Sequence, residues 1–165
     1  MSRYETLCAA LRDLREKYNN NRTDIYSLVG RLLDSQREFL GVDEEQVSLF
    51  ATLGSWAGKK VDGPAAAINL GEDTFWHFGI AIDVVEEDGQ MPVHTVGFEF
   101  QVKKLTDHYL LVLKPEGTQF QISAAVPARD LETISEHLYQ LTLRRYGEAY
   151  QGYFVEGQPN KRFGF

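Results

Sequence analysis

At 165 residues, 43% of them hydrophobic and 25% charged, the chain has the composition of a folded globular protein rather than a disordered one. No apolar run approaches the roughly 18 residues of a membrane span, and the first residues lack the apolar core of a signal peptide. A single cysteine excludes an internal disulfide, and together these features lead us to expect a cytoplasmic protein with no membrane partner. The net charge of −7 is concentrated in residues 61–128, which hold three basic and ten acidic side chains. Residues 1–60 hold nine of each and residues 129–165 five of each. Binding to nucleic acid needs clustered Lys and Arg, so none is expected.

Ser2-Arg3-Tyr4-Glu5 has the form of a capping box, and Tyr4, Leu7, Cys8, Leu11, Leu14 and Tyr18 follow at helical spacing. Cys8 lies on that stripe, which predicts a buried thiol. Asn19 to Arg22 interrupts the pattern, since Asn favours turns. Thr23 can cap a second helix carrying Ile25, Leu28, Val29, Leu32, Leu33, Gln36 and Phe39, with Gly41 as its left-handed end. Two amphipathic helices with so short a joint predict an antiparallel hairpin. After Asp43 and Gln46, the residues Val47, Leu49, Phe50 and Leu53 fit a short helix or a strand equally.

"GSWAGKK" (Gly54 to Lys60) is close to a phosphate-binding loop but departs from it. Three residues rather than four separate Gly54 from Gly58, Lys60 stands where the hydroxyl is needed, and Asp62-Gly63-Pro64 follows where a helix should open. It reads as a Gly-rich connector. Ser55 directly follows Gly54, which also removes a serine-hydrolase elbow.

From Val61 to Val126 the chain reads as strands. "PAAAINL" is a weak strand, followed by "TFWHFGIAIDVVE", "PVHTVGFEFQVKK", "HYLLVLK" and "TQFQISAAV" with turn residues between them. Glu86-Glu87-Asp88 fits a solvated hairpin tip. Leu131, Ile134, Leu138 and Leu141 then predict one helix over 127–147, ended by Gly147, and an aromatic tail over 148–165. The tail aromatics can cover the sheet's second face or dock on a partner. The expected architecture is a single α+β domain over 1–165. A four- or five-stranded antiparallel meander (61–126) packs with an N-terminal helical hairpin (1–60) and a C-terminal helix. Trp76, Phe78, Ile80, Phe98, Phe100, Ile122, Leu131, Ile134 and Leu138 form the expected core.

The two longest strands alternate unusually. With a three-residue turn at 88–90, Ile82 faces Val96, Ile80 faces Phe98 and Phe78 faces Phe100, so both apolar sets share a side. The opposite side pairs Asp83 with Thr95, Ala81 with Gly97, Gly79 with Glu99 and His77 with Gln101. Its centre is glycine and alanine, and glycine within a strand often marks close approach by another group. His77, Gly79, Asp83, Gly97, Glu99 and Gln101 are therefore the candidate ligand- or partner-binding residues, on a groove of the outer sheet face. The four histidines, His77, His94, His108 and His137, show no metal-ligand spacing, and no metal or cofactor is expected. The functional expectation is a non-enzymatic binding or protein-interaction module that takes a protein partner or self-associates as a homodimer, with a small ligand as a further occupant of the groove. The alternative is a small enzyme using His77 with Glu99 or Asp83 for acid–base chemistry.

Overall fold

The capping box forms at the first turn: Glu5 N donates to Ser2 Oγ at 3.1 Å, and Ser2 N donates to a Glu5 carboxylate oxygen at 2.5 Å. From there α1 runs from Arg3 to Leu40 without a break, and Gly41 ends it in the left-handed conformation (φ 69°). This corrects the expected hairpin, because Asn19 to Arg22 lie inside one 38-residue helix. Two causes are visible. Asn costs a helix only about 0.7 kcal/mol or less per residue relative to Ala. The apolar stripe also keeps one phase across the interruption, since Tyr18 and Ile25 are separated by one heptad. Asn21 is further anchored, its side-chain oxygen accepting from Trp76 Nε1 at 3.2 Å.

The computed structural model describes residues 1–86 and 93–154. After α1, β1 (Val47–Phe50) settles the ambiguity of residues 43–53 in favour of a strand. Gly54–Trp56 form a short 3-10 turn. The weak strand expected at "PAAAINL" is instead the one-turn helix α2 (Pro64–Ala67), with Pro at its first position, followed by β2 (Asn69–Leu70). The strands β3 (Trp76–Val85), β4 (Val93–Lys104), β5 (His108–Lys114) and β6 (Thr118–Ser123) form the meander. The sheet is antiparallel and six-stranded in the order β1-β3-β4-β5-β6, with β2 also paired to β3. The β3–β4 register follows the alternation, with Ile82 opposite Val96, Ile80 opposite Phe98 and Phe78 opposite Phe100. The turn expected at 88–90 lies outside the described residues, as do Glu87 and Asp88.

The last helix, α3, runs from Ala128 to Phe154. Gly147 therefore does not end it, since one glycine in a helix costs only about 1 kcal/mol. The rest of the expected tail, 155–165, lies outside the described residues.

The helices cover one face of the sheet. Ile25, Leu28 and Leu32 of α1 and Leu131, Ile134 and Leu138 of α3 are buried against Trp76, Phe78, Ile80, Phe98, Phe100 and Ile122. Every residue expected in the core is buried there. Arg31 and Arg37 reach from α1 to the carbonyls of Val126 (2.6 Å) and Val47 (2.9 Å), tying the helix to the start of α3 and to β1. Cys8 is exposed rather than buried, because the first half of α1 projects past the sheet.

Candidate functional site

The sequence-derived candidates lie on the outer sheet face in two groups, centred on Asp73 and Asp83. His77 is buried, with its Nε2 at 2.9 Å from both carboxylate oxygens of Asp73. Gln101 Nε2 donates to Asp73 at 2.9 Å, and the Phe75 amide donates to it at 3.1 Å. The His77 hydrogen bond, with help from the Phe75 amide, holds the Asp73 carboxyl below its ordinary range, against a smaller opposing effect of desolvation. The turn around it is tight. A Cβ on Gly71 would stand 2.6 Å from both Asp73 Oδ1 and His77 Nε2, so a side chain there would displace one or both of these groups. Thr74 takes a left-handed backbone (φ 69°) that a β-branched residue avoids, and Lys103 donates to its hydroxyl at 2.8 Å.

Asp83 belongs to a separate group: Thr95 donates to its carboxylate at 2.6 Å, and Lys60 pairs with it. It is six residues from His77 along β3, about 20 Å at the rise of a strand. His77 and Gln101 are thus brought together through Asp73, while Asp83 is not joined to them. Glu99 is exposed, opposite Gly79 on β3 and Lys114 on β5. The carbonyl of Gly97 accepts from Arg145 of α3 at 3.3 Å, along the length of β4 that β5 does not reach.

The small residues at the centre have a clear neighbour. Phe50, opposite Gly79 on β1, lays its ring where a Gly79 Cβ would be, and Phe50 is itself 2% exposed. Ala81 is buried beside it. The close approach that the glycine implied is made by the chain's own β1. Asp73, Gly71 and Phe50 were not singled out from sequence. Asp73 read as a turn residue, and Phe50 gave no sign of which strand it would join.

A cavity of about 660 Å³ lies where the end of α1, the end of β3 and α3 meet. It is lined largely by Leu40, Val42, Ile82, Val84, Tyr139 and Leu143. Among the described residues, no group of three or more His, Cys, Asp or Glu side chains could hold a metal ion, and no helix is long and apolar enough to cross a membrane.

Among the described residues, the most exposed apolar feature is the first half of α1, here called the arm. Tyr4, Leu7, Leu11, Leu14 and Tyr18 are 75%, 68%, 51%, 64% and 42% exposed. They alternate at steps of three and four residues, the spacing of a coiled-coil seam. The same phase continues into Ile25, Leu28 and Leu32, which are fully buried against the body. The change occurs at Tyr18, whose ring lies 5.7 Å from that of Trp76. Sequence reasoning found every residue of this stripe but assigned it to an internal hairpin. Comparison with protein-family models, curated proteins and solved structures finds no match for this chain.

Proposed function

We propose that the protein is a non-enzymatic interaction module, in which the α+β body is a mount and the arm of α1 is the binding element. One observation carries this reading: a single helical seam is buried from Ile25 to Leu32 and exposed from Tyr4 to Tyr18. An isolated helix of this length is marginal in water, and an apolar stripe at this spacing gains most from another helix. In this reading the small residues of the outer sheet face accommodate Phe50 rather than an outside ligand. The enzyme alternative has less support, because His77 is turned to Asp73, and Asp83 is engaged by Lys60 and Thr95. The acidic sheet segment offers no surface for nucleic acid. We place the module in the cytoplasm, where a lone exposed thiol such as Cys8 is ordinary.

The test is the size of the complexes that the chain forms in a cell extract. Wild type should migrate well above its own 18.8 kDa. The triple variant Leu7→Asp/Leu11→Asp/Leu14→Asp should migrate as a monomer while its body melts at an unchanged temperature. A triple variant that migrates like wild type removes the arm from the function.

A further inference from the structure

Resting on that reading, we infer that the occupant of the exposed seam is the arm of a second copy of this chain, running antiparallel. The structure restricts what can lie there. Beyond Asn21 the seam face of α1 is filled by the chain's own sheet, at Trp76 first. A parallel partner helix following the seam would run into that sheet. An antiparallel partner avoids it, because its helix ends at the Ser2 cap as it reaches the body.

Pairing residues whose numbers sum to 25 covers the whole stripe. Leu11 then lies against Leu14 of the other arm, Leu7 against its Tyr18 and Tyr4 against its Asn21. At Arg3, Lys17 and Arg15 no like charges come together in this register, Asp24 being also paired with Lys104 of its own body. In antiparallel coiled coils, like-lettered flanking positions meet across the seam. Arg3 thereby falls beside Asp24 of the other arm, Lys17 beside Ala10 and Arg15 beside Cys8. A parallel, in-register pair would instead set Lys17 against Arg22 twice, a like-charge contact that disfavours it.

The area is also sufficient. At their present exposure the four tyrosines contribute about 350–600 Å². The six leucines bring the total to about 1,000 Å² or slightly more, the lower bound of a specific interface. The geometry points to a dimer of modest affinity, with the two bodies at opposite ends of the paired arms.

Two measurements test it. Sedimentation of the purified chain should give a dimer that Leu11→Asp/Leu14→Asp converts to a folded monomer. For orientation, Leu7→Cys and Tyr18→Cys are each placed in a Cys8→Ala background. An interchain disulfide should form when the two variants are mixed and in neither alone. A purified wild-type chain that stays monomeric at high concentration overturns the inference; the arm's role as a binding element then still rests on the extract experiment. A dimer indifferent to the aspartates also overturns it. A disulfide in either cysteine variant alone shows parallel arms. A dimer broken by the aspartates that yields no mixed disulfide overturns the register.

Discussion

The two halves of α1 are built on one pattern and meet different neighbours. From Ile25 to Leu32 every seam residue is buried, and polar residues around it are tied to the body, Asp24 to Lys104, Arg31 to the Val126 carbonyl and Arg37 to the Val47 carbonyl. From Tyr4 to Tyr18 the seam is exposed, and the first turn's polar contacts are local, with Ser2, Glu5 and Thr6 bonding one another. Amphipathic periodicity states that a stripe calls for cover; it does not state what covers it. Here the limit is the reach of the sheet. The body's contact with α1 begins at Trp76 and Lys104, and the helix continues beyond both.

Stability measurements break the comparison most directly. Phe98→Ala, in the centre of the buried face, should cost about 3–5 kcal/mol, and Leu28→Ala on the buried half of α1 about 2–5 kcal/mol. Leu11→Ala, on the exposed seam of the arm, should change unfolding of the monomer by about 0.5 kcal/mol or less. Urea titrations at dilutions below association would measure all three. Comparable losses for Leu28→Ala and Leu11→Ala would mean that the arm is covered by its own body. A loss below about 1 kcal/mol for Phe98→Ala would contradict its burial.

The division between what the residues disclosed and what they did not follows from the range of the forces involved. Local signals were legible: the Ser2–Glu5 capping box, the Gly41 end of α1 and the β3–β4 register, because each depends on neighbours or on a strict two-residue alternation. The burial of Trp76, Phe78, Ile80 and Phe98 followed from that same alternation. The helical hairpin did not form, because four polar residues with weak turn preference cannot outweigh a continuous stripe held by tertiary contacts on its far half. A glycine within a strand marks close approach, and at Gly79 the Phe50 ring makes it. The identity of the approaching group was not readable, because the pairing of β1 with β3 spans a connection of some 25 residues that carries no register signal of its own. Asp73 was missed for the opposite reason: its partners Phe75 and His77 are close in sequence, but its role depends on Gln101 arriving from β4.

Gly79 sharpens the outer-face comparison. Gly79→Ala places a methyl group within the Phe50 ring, and that ring is too buried to move aside freely. Overpacking of this kind costs about 1–3 kcal/mol. Combining it with Phe50→Leu, which removes the far edge of the ring, should recover part of the loss, whereas two independent sites would give additive losses. Thermal melts of the single and double variants test the coupling. A neutral Gly79→Ala would show that the ring has room to shift.

The smallest expected effect concerns Asp73, and its sign can be worked out. The His77 hydrogen bond and then the Phe75 amide hold its carboxyl below the ordinary 3.8 in the folded chain. A carboxyl with a lowered folded-state pKa adds stability that is present in full above its unfolded value and is lost as pH falls through the folded one. Asp73→Asn should therefore be less stable than wild type by a constant margin at neutral pH, and the margin should close as the pH drops below about 4. Its side chain is 42% exposed, so solvent screens the interaction, and the margin should be about 1 kcal/mol or less. Urea midpoints of the two proteins across an acid series measure it. A margin that persists unchanged far into acid would show that Asp73 acts through the shape of the turn, with Gly71 and Thr74, and not through its charge.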